Sequence, residues 1–79
     1  MMNYIETLSR CEPSMLIDMI SSVQEGFIKS KYTDVIVQES EDSNSVLFKM
    51  KAHNSHCLIV TMLKKDIDDY FAKNGIQLQ

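Results

Sequence analysis

His53, His56 and Cys57 fall within five residues, and two imidazoles beside a thiol are side chains that hold zinc or build a histidine-activated cysteine nucleophile. A structural zinc site wants four ligands, and the other cysteine, Cys11, lies in the N-terminal segment. Strand alternation would also point His56 and Cys57 to opposite faces of a sheet. The expectation is therefore two exposed turn histidines and a half-buried cysteine, with no metal. A cysteine nucleophile would further need oxyanion donors and a cleft, for which a single small layer of helix on sheet leaves little volume. No glycine-rich phosphate loop, G-x-S-x-G turn or paired-acid signature is present, and Asp66, Asp68 and Asp69 read as favourable negative charge at a helix N-terminus. The chain is expected to have no catalytic residue and no cofactor, and not to be an enzyme.

The elements that would position these side chains must come from 79 residues, 44% of them apolar, with 8 basic and 11 acidic side chains and a net charge of −3. This length supports a single domain spanning residues 1–79. The composition excludes disordered, collagen-like and disulfide-scaffold classes. Apolar runs such as Cys57-Leu58-Ile59-Val60 fall far short of the roughly 18 residues of a membrane span. Met1 to Glu6 lack the basic and apolar regions of a secretory signal, so a cytoplasmic protein with reduced cysteines is expected. Met15, Met19, Met50 and Met62 each sit in an apolar pattern and are assigned to core filling.

Asn3 is a plausible cap for a short helix reaching Arg10. Pro13 suits the first turn of a second helix, and Leu16, Ile20, Val23 and Phe27 recur at helical spacing, predicting an amphipathic helix over about 13–31. Gly26 inside it would be excused by close approach to another element. The period then changes to two. Strands are predicted over about 33–39, 46–52 and 56–63, joined by Ser40-Glu41-Asp42-Ser43-Asn44-Ser45 and by His53-Asn54-Ser55. Asp66 caps a last helix carrying Ile67, Tyr70 and Phe71, with Gly75 at its end and Ile76 available for a Schellman contact. The fold class is α+β in the order α-α-β-β-β-α, a three-stranded antiparallel meander with two helices on one face.

A first turn centred in Asp42-Ser43 sets Val37 opposite Phe48 and Val35 opposite Met50 on the core face. The third strand has two possible registers, and the one that buries Leu58, Val60 and Met62 is preferred because all three are apolar. Ile36, Leu47 and Ile59 then lie on the other face beside Lys49, Lys51 and Thr61. A domain of this size buries only about 60–65% of its unfolded surface, so an uncovered apolar face invites a partner. These residues predict a non-enzymatic interaction module, a small adaptor or inhibitor of another protein, binding through Ile36, Leu47, Lys49, Lys51 and Ile59; in its size and lack of cofactor motifs the chain resembles phage- or plasmid-encoded regulators of host proteins. Self-association through the open face or a sheet edge is a further expectation. The acidic run Glu39, Glu41 and Asp42 reads as a solvated hairpin tip.

The alternative is a nucleic-acid-binding domain using Lys49, Lys51, Lys64 and Lys65. The element order, the acidic-polar hairpin Glu39-Ser40-Glu41-Asp42 and Phe48 in the second strand resemble the double-stranded RNA-binding domain in outline, across about 60 residues. The resemblance implies phosphate contacts at the last helix. That family approaches this helix through glycines and opens it with Lys-Lys-x-Ala-Lys, whereas here Lys64-Lys65 runs into Asp66-Ile67-Asp68-Asp69, acids that would repel a phosphate backbone. Residues 1–44 carry eight acids and three bases, net −5, and residues 45–79 five bases and three acids, net +2. Nucleic acid is therefore the lesser expectation.

Overall fold

A computed structural model describes residues 3–54 and 56–75. Asn3 caps α1 (Tyr4–Ser9), its Oδ1 accepting from the Glu6 N–H at 2.8 Å, which satisfies one of the orphan donors of the first turn. A proline disfavours helical backbone in the residue before it, and Glu12 is accordingly extended (φ −65°, ψ 141°). That separates α1 from α2 (Pro13–Val23), where Pro13 occupies the first turn without losing a needed donor.

The second helix is shorter than its apolar spacing predicts. Gln24 closes the last turn by donating to the Ile20 carbonyl at 2.8 Å and then turns extended, and Gly26 follows with φ +76°. A Cβ built on Gly26 would meet nothing within 4 Å, so its role is the left-handed backbone rather than the close approach expected. Val23 is exposed, and Phe27 leaves the helical stripe to stack on Tyr32 with ring centroids 5.0 Å apart. A single 3₁₀ turn over Lys29–Lys31 then delivers the chain to the sheet.

Strands β1 (Tyr32–Glu39), β2 (Ser45–Ala52) and β3 (Cys57–Leu63) form an antiparallel sheet in the order β1-β2-β3. The predicted pairings hold: Val35 faces Met50, Val37 faces Phe48, and β3 adopts the register in which Leu58, Val60 and Met62 follow Met50, Phe48 and Val46. A register shift leaves Thr33 as an extra residue between Tyr32 and Asp34. β3 passes directly into α3 (Lys64–Lys73), whose N-cap is Leu63; the Lys64 N–H donates to the Asn44 carbonyl at 2.8 Å. The helix therefore starts before Asp66, which lies in its first turn instead of capping it. Gly75 has φ +70° after the Asn74 cap, as a helix end requires. Ser55 and Ile76 lie outside the described residues.

All three helices contribute to one core against the inner sheet face. Leu8, Leu16, Met19, Ile20, Ile67 and Phe71 close over Val46, Phe48, Met50, Val60 and Met62. Three methionines fill this core as expected, and Met15 packs at its margin. Tyr4 ties α1 to α3 by donating to Asp68 Oδ1 at 2.8 Å, and the Lys64 ammonium sits 5.4 Å from its ring centroid. No helix among the described residues is long and apolar enough to cross a membrane.

Candidate protein-docking face

The outer face of the sheet follows from the same alternation that builds the core. With Val46, Phe48 and Met50 turned inward, Leu47, Lys49 and Lys51 must turn outward. Pairing lays out three rows across the strands: Asp34, Lys51 and Cys57; Ile36, Lys49 and Ile59; Gln38, Leu47 and Thr61. Both helical contacts and the buried core lie on the other side. Ile36 is 54% exposed and Ile59 57%, with half-buried Lys49 between them and half-buried Leu47 in the next row. The structure thus brings together five expected interaction residues: Ile36, Leu47, Lys49, Lys51 and Ile59.

Leu63 extends the patch beside Ser45 and is 50% exposed. Sequence reasoning missed it, although the parity that places Ile59 outward also places Leu63 there. A small hollow of about 80 Å³ lies on this face between Asp34, Ile36, Lys49 and Lys51.

The electrostatics are set by what the lysines lack. Among the described residues neither Lys49 nor Lys51 makes an ion pair, and Asp34 opposite Lys51 directs Oδ1 to the Val35 N–H at 2.9 Å. Lys49 therefore places an unneutralised cation amid aliphatic side chains, its stem available to pack on the flanking isoleucines. The face offers an apolar surface with a central positive charge.

The four lysines of the expected basic patch are not gathered. Lys51 pairs with Cys57 at one end of the β2–β3 ladder, whereas Lys64 follows Leu63 at the other, about 20 Å along the strands. Lys64 is turned to the Tyr4 ring, on the helical side of the molecule, and Lys65 is exposed on α3 among Asp66, Asp68 and Asp69.

His53, Asn54 and His56 line an open hollow of about 450 Å³ with Lys31, Tyr32 and Leu58. Among the described residues no three His, Cys, Asp or Glu side chains group to hold a metal. Cys57 is exposed rather than half-buried, because it opens an edge strand on the outer face; Cys11 is half-buried between α1 and α2, and both are free thiols. Burial pushes the Cys11 thiol above its ordinary range, and its Sγ contacts the Thr7 carbonyl at 3.7 Å, which leaves it a poor nucleophile. A third hollow, about 760 Å³, lies between the end of α2 and α3, floored by Val23 and Tyr70 and edged by Asp66, Asp69 and Lys73. It was invisible to sequence reasoning because the helix was expected to continue through it.

Comparison of the chain with protein-family models, curated proteins and solved structures finds no match.

Proposed function

We propose that this chain is a protein-binding module, a small adaptor or inhibitor without catalytic activity, that docks through the outer face of its sheet. The observation that carries the reading is the row Ile36, Lys49, Ile59: two isoleucines more than half exposed on either side of a cation that has no ion-pair partner among the described residues. Covering the exposed half of each aliphatic side chain is worth about 1 kcal/mol, so Ile36, Leu47, Ile59 and Leu63 together supply a useful docking surface.

The charge selects the partner. A second copy placed face to face about a two-fold axis at the centre of the patch would set Lys49 against Lys49, and like-charge juxtaposition of that kind is costly. The fitting partner is a different protein that presents apolar side chains around a carboxylate. Such a contact would neutralise Lys49 while drying the isoleucines.

The test is capture of binding proteins on the immobilised chain, compared with Leu47→Asp and Lys49→Glu. A partner held through this face is expected to lose about tenfold or more in affinity for each variant, with the far-ultraviolet circular dichroism unchanged. Equal capture by wild type and by folded Leu47→Asp would end the reading.

A further inference from the structure

The two edges of the sheet differ in a way that bears on self-association. The Ala52 N–H donates to the His56 carbonyl and the Lys64 N–H to the Asn44 carbonyl, both at 2.8 Å. Antiparallel pairs alternate between bonded and non-bonded, so the even-numbered residues of β3 bond to β2, and Cys57, Ile59 and Thr61 direct their N–H and C=O groups outward. No described group bonds to those outward atoms.

On β1 the corresponding outward residues are Val35, Val37 and Glu39. There the Val35 N–H is already taken by the Asp34 carboxylate at 2.9 Å, Thr33 interrupts the regular pairing, and charged Asp34 and Glu39 belong to the strand. These are the devices by which natural sheets discourage addition of another strand. β3 has none of them: its seven residues, Cys57 to Leu63, carry no charge, no proline and no register shift.

A second observation concerns Leu58. It belongs to the inner, core-facing side with Val60 and Met62, yet it is 38% exposed against 7% and 3% for those two. The chain covers it only in part: hollows of about 450 and 370 Å³ meet at Leu58, the second walled on its far side by residues 24–28, and leave space beside the strand.

We infer that β3 is a homodimerisation edge, pairing antiparallel with β3 of a second copy to give a continuous six-stranded sheet. A two-fold axis at Ile59 sets Ile59 against its own copy and Cys57 against Thr61, so that the outward groups of all three residues are used in about six new backbone hydrogen bonds. The same register lays Val60 of the second copy beside Leu58, extending the inner face where Leu58 is left partly open. Because β3 is uncharged, no like-charge pair opposes this contact, unlike a face-to-face arrangement. The inference is independent of what docks on the outer face.

Sedimentation of the full chain from micromolar to millimolar concentration tests it. Wild type is expected to shift from monomer to dimer. Thr61→Pro removes only an outward N–H, so the β2–β3 ladder survives while dimer dissociation rises about tenfold or more. Should that variant fail to fold, Thr61→Lys places a charge on the same edge and is expected to weaken the dimer likewise. Ile59→Cys combined with Cys57→Ser is expected to form a disulfide-linked dimer on mild oxidation, since directly opposed bonded residues have a compatible Cα separation. Leu47→Asp is expected to leave the dimer intact, which separates this result from failure of the docking proposal. A wild-type monomer at every concentration, a folded Thr61→Pro that dimerises as tightly as wild type, or a dimer lost only in Leu47→Asp would overturn the inference.

Discussion

The two faces of β2 lie on one strand and have opposite fates. Val46, Phe48 and Met50 are fully buried beneath three helices, while Leu47 and Lys49 are only half-buried, and Lys51 is exposed on a side that no helix reaches. Their flanking pairs sharpen the contrast: Phe48 lies between Val37 and Val60, and Lys49 between Ile36 and Ile59. Both rows are bounded by β-branched aliphatic side chains. What distinguishes them is the central residue, aromatic in one row and cationic in the other, and that residue decides which side the helices cover. The lysine prevents the outer row from competing for the core while leaving its neighbours apolar enough to be useful in an interface.

The contrast breaks first at Phe48. Phe48→Ala is expected to cost about 3–5 kcal/mol, because a large cavity opens where a fully buried ring stood, whereas Ile36→Ala should cost under about 1 kcal/mol. Urea denaturation of both variants measures the difference, and similar losses would mean that the outer face is covered within the monomer.

Gly26→Ala gives a smaller effect whose sign is informative. Alanine within a helix would stabilise by about 1 kcal/mol relative to glycine, whereas at φ +76° it should destabilise by about 1–2 kcal/mol. A lowered thermal midpoint would locate the end of the helical cover before Gly26; a raised one would restore the longer helix.

The smallest effect concerns the polar tie at the rim of the covered side. Partial burial raises the Tyr4 phenol above its ordinary value of 10, and the hydrogen bond to Asp68 and that carboxylate's charge add to the shift. The neutral phenol is favoured in the folded state, so its contribution is complete below about pH 10 and declines as the pH rises above that, where the unfolded chain ionises first. Tyr4→Phe should cost less than about 1 kcal/mol at neutral pH, since the bond is partly solvated, and should flatten the alkaline fall in stability. Thermal midpoints of the two proteins between pH 7 and pH 11, values chosen to bracket the phenol's usual range, would show the curves converging.

Much of this architecture was legible because strand parity is unforgiving. A slip of one residue in β3 would have buried Thr61 and Cys57, so the apolar set Leu58, Val60 and Met62 was enough to choose the register. Helix ends were less legible. Val23 and Phe27 keep helical spacing after the helix has stopped, and periodicity alone does not distinguish a glycine tolerated within a helix from one required by a positive φ. At α3 the polar Asp66 looked like a cap, whereas the ladder to β2 carries the chain straight into the helix at Lys64. The outer-face residues were readable by the same parity, apart from Leu63 at the strand end. The scattering of Lys49 and Lys51 from Lys64 and Lys65 was not, since it depends on where the last helix packs. The exposure of Leu58 also lay beyond the sequence, which predicted its side of the sheet correctly but not that no helix would extend above it.

The extra residue at Thr33 has a consequence for stoichiometry. Strand addition behaves as a polymerisation in which each chain contributes two reactive ends, and a molecule with two equivalent live ends would grow into a fibre. In the pairing proposed through β3, the irregular, acid-bearing β1 would be a dead end, so joining two chains would consume both live ends and leave only inert termini. The proposed assembly would stop at two chains.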